Sequence, residues 1–217
     1  MTEIRECAQC GRAFTPQREH ARFCSATCRM AWNRERVGVA AAPAVAIDWS
    51  VTALTEAVAR FEWAGSWDLP RTAAAVSETA WWITLLDATL VRYHPLDYES
   101  TLSGLTPGQR RKTEETLAGL RYVRNLLGRS VDPADLIRLA PGGDASWIWN
   151  PLPEPELTEV PDRTRDWEMN RYRAYQVRLA GHGVAQGFAL CAGFLEQAAA
   201  LATAGQVPPV SSDTRRQ

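Results

Sequence analysis

Strand patterns are almost absent from this chain: nowhere in its 217 residues does an apolar–polar alternation last long enough to read as a half-buried strand. A β-rich fold is therefore excluded. No run approaches the roughly 18 apolar residues a bilayer span requires, so no membrane segment is expected. Lysine occurs once, at Lys112, beside 23 arginines, and the net charge is −1. That balance excludes a globally basic nucleic-acid binder and leaves only local contacts to argue for. There is no glycine-rich phosphate loop, no H-E-x-x-H and no serine-centred elbow. No complete catalytic constellation supports an enzyme. Nothing in the polar stretch Met1 to Glu6 looks like a secretory leader. The expectation is a reducing, cytoplasmic setting, where thiols favour metals over disulfides.

What the chain does have is a crowd of cysteines at one end. Cys7 and Cys10 form a C-x2-C pair, thirteen residues follow, and Cys24 and Cys28 form a C-x3-C pair; only Cys191 lies elsewhere. This spacing lets four sulfurs converge on one tetrahedral ion, and four thiolates with no open position point to structural rather than catalytic Zn2+. A module of about 40 residues buries too little apolar surface to fold unaided, which gives the metal a purpose. Two oxidised bridges, four free thiols or an iron–sulfur cluster are the alternatives, the last disfavoured by an arginine-rich loop without apolar shielding. His20, within the loop, reads as a solvated side chain in place of a ligand.

Gly11 supplies the backbone freedom for a tight knuckle, and a short hairpin is expected from Arg12 to Thr15 through a turn at Pro16, with Phe14 and Phe23 as its small core. Ser25 and Thr27 read as the capped start of a helix over 25–36. The stretches CAQCGRAF and RFCSATCRMAW resemble the treble-clef zinc fingers of the FCS type found in small bacterial proteins, over residues 7–36. The resemblance implies metal ligation by Cys7, Cys10, Cys24 and Cys28 and a contact with DNA, RNA or protein.

Residues 1–38 carry seven arginines against four glutamates, a formal +3 that four thiolates and Zn2+ reduce to about +1. The rest of the chain carries −4. The arginine count alone is therefore a weak nucleic-acid signal. Geometry adds to it: Arg29, Trp32, Arg34 and Arg36 on one short helix are suited to meet phosphates and stack on a base, the alternative being a packed tryptophan among solvated arginines.

Beyond this module, residues 38–48, with Pro43, read as a linker, 49–205 as an α-helical bundle, and 206–217 as a disordered tail. The fold class is thus mostly α: a small zinc finger followed by a bundle, fused in an arginine- and alanine-rich chain of actinobacterial type. Helices are expected over 51–64, 70–93, 107–128, 132–139 and 166–202, the last with a kink at Gly181-His182-Gly183. The segment ending at Tyr93 is apolar nearly all round and belongs at the bundle's centre. Between Pro141 and Pro161 lies a five-proline loop containing Trp147-Ile148-Trp149, too long for a plain connector. Trp81, Trp82, Trp147, Trp149 and Trp167 either line a pocket or fill the core. Cys191, on the stripe Val184, Phe188, Leu195, reads as a core thiol.

One helix asks for more than packing. Leu117, Leu120, Arg124 and Leu127 recur at helical spacing, so Arg124 is expected on the apolar stripe, where its charge needs a partner. Asp87, between Ile83 and Leu90, is the natural one. The stretch GLRYVRNLLGRS also resembles the R-N-x-x-x-H signature of the HEPN superfamily, all-helical and usually dimeric, whose active members cut RNA. Arg124 and Asn125 match its first two positions, while Arg129 replaces the histidine. Arginine binds a phosphate but exchanges no proton near neutral pH, so the resemblance implies a nucleic-acid-binding or dimerising relative rather than a working nuclease unless His94 or His182 compensates. Two functions follow: a zinc-binding adaptor whose finger contacts nucleic acid or a protein, with a bundle for dimerisation or partner binding, or a HEPN-like RNA-binding or ribonuclease-related domain with an altered centre.

Overall fold

Helices dominate the computed structural model, which describes residues 4–16, 21–25, 28–29, 44–64, 68–128, 132–141, 146–155 and 162–204. The chain divides into two units, Met1–Val45 and Ala46–Gln217. In the first, strands β1 (Arg5–Glu6) and β2 (Ala13–Phe14) pair antiparallel, with Arg5 opposite Phe14. The chain reverses between them because Gly11 adopts φ 69°, a left-handed conformation open to glycine. The hairpin therefore wraps the first cysteine pair, and the expected turn through Pro16 gives way to it. At the second pair, Ser25 Oγ accepts from the Cys28 amide (3.1 Å) and the Ser25 carbonyl accepts from the Arg29 amide (3.1 Å). That is a capped helix start at the expected serine. His20, Thr27 and the rest of the expected 25–36 helix, with Trp32, Arg34 and Arg36, lie outside the described residues, as does the 206–217 tail.

Helix α1 (Ala44–Trp63) carries the chain into the second unit. It starts seven residues before the expected Val51, so positions 44–48 of the expected linker are helical. Alanine-rich sequence favours helix, and Ile47, 1% exposed, anchors that extra turn in the core. Helix α2 (Leu69–Tyr93) starts where the Asp68 side chain accepts from the Arg71 amide and Pro70 occupies the first turn. A helix absent from the sequence reading, α3 (Pro95–Ser103), follows at once. Pro95 lacks the amide that would continue α2, yet its fixed φ suits the first turn of a new helix. Helix α4 (Pro107–Leu127) opens with a reciprocal capping box between Thr106 and Gln109.

After α4 the expected helix over 132–139 is a single 3-10 turn, Pro133–Leu136, which passes into strand β3 (Ile137–Leu139). This pairs antiparallel with β4 (Trp147–Trp149), Ile137 opposite Trp149. The proline-rich segment is thus partly a hairpin laid on the core, with Trp149 fully buried. The expected long final helix is two, α5 (Asp162–Arg178) and α6 (Val184–Ala204). Gly181, at φ 75°, makes the turn between them a full break.

Helix α2 holds the centre, packed by α3, α4, α6 and the 3-10 turn. Leu86, Ile83, Leu90, Val76 and Ala80 on it are all 0% exposed; burying each of the large ones contributes about 1.5–3 kcal/mol. The closest helix pair is α4 on α5. Their approach is set at Gly119, where an added Cβ would stand 3.1 Å from the Tyr175 Cα and 3.0 Å from a Leu179 methyl. By length and hydropathy α6 is apolar enough to cross a bilayer, but half of that stretch is buried in the bundle, as in a core helix.

Candidate functional site

The four N-terminal sulfurs come together. Cys7, Cys10, Cys24 and Cys28 present Sγ atoms that all lie within 4.8 Å of one another. Cys10 is 3.7 Å from Cys24, and Cys24 is 3.5 Å from Cys28. Ligands bound at about 2.3 Å on a tetrahedral ion would be separated by nearly that distance. The knuckle that presents Cys7 and Cys10 is closed by two backbone bonds, Cys7 N–H to the Arg12 carbonyl and Gly11 N–H to the Cys7 carbonyl, both 2.9 Å. A third, Ala8 N–H to the Arg22 carbonyl (2.9 Å), ties the knuckle to the approach of the second pair.

The electrostatics suit a cation. Burial raises the Cys7 thiol, but amides of Cys24, Cys10 and Gln9 overcome it and bring the group down to about 6. The Cys24 amide itself donates to Cys7 Sγ at 3.4 Å. Cys24 is pushed up to about 12, first by its contact with Cys28 and then by Cys10 and Cys7. Four sulfurs this close do not all carry charge unless a cation sits between them; a divalent ion removes the conflict. The donor set therefore fits a metal ion.

In the bundle the expected Asp87–Arg124 pair is replaced by another. Asp87, 0% exposed, accepts from Arg121 Nε at 2.8 Å and from Arg121 Nη2, and its other oxygen accepts from the Tyr98 hydroxyl at 2.8 Å. One carboxylate thus joins α2, α3 and α4. Burial, reinforced by the Asp87 charge, pushes the Tyr98 phenol up, so it stays a donor. Periodicity assigned α4 its face correctly but carries no information on the level at which two helices meet. Arg121, one turn before Arg124, is the arginine level with Asp87.

Arg124 instead sits over Trp81, its Cζ 4.6 Å from the ring centroid. Next to it, Asn125 Nδ2 donates to Glu168 Oε1 on α5 at 2.9 Å, and Glu168 is only 4% exposed. One turn along α5, Arg171 sits over Trp167, Cζ 3.2 Å from the centroid. Arg171 is pulled down to about 10, by burial first, with Arg121 and Arg124 adding to the effect and Glu168 and Asp87 opposing it. Arg129, the third position of the R-N-x-x-x-H resemblance, lies outside the described residues. His94 meets Asp97 at 3.8 Å at the α2–α3 junction, and His182 contacts the Ala180 carbonyl in the α5–α6 turn. Neither is brought to Arg124 by the contacts it makes.

The tryptophans separate. Trp149 packs edge-on against Phe188 and Tyr175, and Trp82 against Trp49. A cleft of about 460 Å3 between α3 and α6 is lined by Ser100, Thr101, Gly104, Leu105, Gln197 and Leu201, with none of the tryptophans among its walls. Cys191 is fully buried, and burial pushes its thiol up, as a core residue requires. Sequence reasoning missed Arg121, Tyr98, Glu168 and Arg171. Their signals were present but weak, a charge or hydroxyl one turn from each residue that was singled out. No protein-family model, curated protein or solved structure matches the chain.

Proposed function

We propose that this protein is a zinc-binding adaptor or regulator: a treble-clef finger holding structural Zn2+ on Cys7, Cys10, Cys24 and Cys28, joined to a helical bundle that serves dimerisation or partner binding. The observation that carries the reading is the convergence of the four sulfurs. Zinc is favoured over iron–sulfur because three of the four cysteines are not buried and the surrounding sequence offers no apolar shield. Four thiolates and reduced chemistry suit the cytoplasm. The finger engages nucleic acid or a protein through the stretch that follows Ser25, with Arg29, Trp32, Arg34 and Arg36 as its contacts. Elemental analysis of protein purified under reducing conditions is expected to return one zinc per chain; iron with labile sulfide would replace this reading. Neutralising Arg29, Arg34 and Arg36 together is expected to weaken nucleic-acid binding and flatten its salt dependence. If such binding exists and the triple variant retains it, the finger is not the contact.

A second reading is supported by the freedom of Arg124, which makes no ion pair with a described carboxylate and stands beside an Asn125 oriented by Glu168. It is a HEPN-like RNA-binding bundle whose R-N-x-x-x-H centre is altered at Arg129. With no proton-exchanging residue at that position, purified protein is expected to bind RNA without cutting it. Cleavage abolished by Arg124→Ala would instead make it a nuclease.

A further inference from the structure

On α2, α4 and α5, hydrogen bonds tie Arg121 to Asp87 and tie Asn125, next to Arg124, to Glu168, one turn from Arg171. Both carboxylates are engaged elsewhere. Asp87 is held by Arg121 and Tyr98, and Glu168 accepts from Asn125. Among the described residues neither Arg124 nor Arg171 has a carboxylate at ion-pair distance. Each is instead laid on an indole, Arg124 on Trp81 and Arg171 on Trp167. A guanidinium over a ring keeps its N–H donors available to an anion. Arg171 is half-buried and feels the Arg124 charge, an unfavourable pairing that an anion beside it relieves. Trp81 and Trp167 are also 47% and 55% exposed, unusual for residues with so much apolar area to hide.

We propose that Arg124 and Arg171, with Trp81 and Trp167, form a nucleotide-binding site on the bundle, separate from the finger, that takes a phosphate between the two guanidiniums and stacks a base on an exposed indole. Phosphate oxygens match the fork of arginine, and an aromatic base is the partner that buries an indole face without needing a specific hydrogen-bond pattern. Inorganic phosphate or an acidic peptide would use the arginines and leave both indoles idle. The site shares Arg124 with the HEPN-like reading but requires neither the finger nor cleavage. The phosphate is either that of a free nucleotide or that of a single strand, and the two are separable by experiment.

The full chain is titrated with AMP by calorimetry and with a fluorescein-labelled ten-residue oligothymidylate by anisotropy, with inorganic phosphate as a third probe. Binding of AMP assigns a free nucleotide; binding of the strand alone assigns single-stranded nucleic acid. In either case Arg171→Gln and Trp167→Ala are each expected to weaken binding by about tenfold, with circular dichroism unchanged. Trp167 is more than half exposed, so its variant keeps the fold even if loss of Arg171 disturbs α5. The proposal is overturned if neither AMP nor the strand binds. It is equally overturned if both variants bind as the parent does, or if inorganic phosphate competes as well as AMP and Trp167→Ala has no effect. Strand binding that survives both variants but falls on Arg29→Gln belongs to the finger.

Discussion

At the residue scale, the two arginines on α4 have opposite circumstances. Removing Arg121 leaves Asp87 fully buried with only the Tyr98 hydroxyl to hold its charge, whereas Arg124 can leave Trp81 without stranding any partner. Urea denaturation should therefore show Arg121→Ala losing about 3–5 kcal/mol and Arg124→Ala only about 1 kcal/mol. Equal losses would mean that the two side chains share the carboxylate. The sequence identified Asp87 as a buried charge and α4 as its source of a partner, because helical spacing reveals faces. It placed the partner one turn too far along, because interhelical level depends on how α2 and α4 start and pack. Cysteine gives the complementary case, since spacing alone identified the four sulfurs that come together. Iodoacetamide should leave all five thiols untouched in the metal-bound protein and modify four after chelation. Cys191 should react only in denaturant, since it is fully buried.

At the scale of elements, the helix starts near residues 25, 70 and 107 were legible, whereas α1 starts seven residues early and α3 was unforeseen. Asp68 with Pro70, Thr106 with Gln109 and Ser25 each announce a helix by chemistry confined to a few neighbouring residues. The β3–β4 hairpin was not legible, because two three-residue strands give no period to detect and their pairing is a tertiary event. The α4–α5 crossing was hidden too: Gly119 reads in sequence as a weak spot in a helix, but in space it is what allows the crossing. Gly119→Ala should cost about 1–2 kcal/mol, the strain of pushing α5 away exceeding the gain in helix propensity. Gly193 on α6 has nothing within 4 Å of an added Cβ. Gly193→Ala should be neutral or stabilise by up to about 1 kcal/mol. Thermal denaturation of the two variants provides the comparison, and stabilisation by both would remove the close approach as a packing constraint.

For the whole molecule, the division into two units separates two sources of stability. The bundle's core is drawn from residues between Ile47 and Ala202, a range that excludes every ligand cysteine. The first unit has only two two-residue strands among its described residues, so on the proposed function its stability would come from the ion. A chelator should therefore remove the metal and unfold residues 1–45 while the helical circular dichroism and the main melting transition persist. A drop of many degrees in that transition would show that the finger supports the bundle. That four cysteines converge in the N-terminal unit and that the rest of the chain is mostly helical was readable from cysteine spacing and apolar periodicity. The partner was not, because neither pattern carries information about what an exposed surface meets.

The turn between α5 and α6 does more than connect them. Its backbone extends the β3–β4 hairpin, with the Trp149 amide bonded to the His182 carbonyl (3.0 Å) and the Gly181 amide to the Trp149 carbonyl (2.8 Å), while the Tyr175 hydroxyl holds the Asn150 carbonyl at 2.5 Å. These amides sit in segments a sequence would label as loop, yet freeing one requires the hairpin and the last two helices to part together. In native-state hydrogen exchange, Trp149 and Gly181 should open only with global unfolding, as slowly as the centre of α2, and so mark this small sheet as the latch of the cooperative unit.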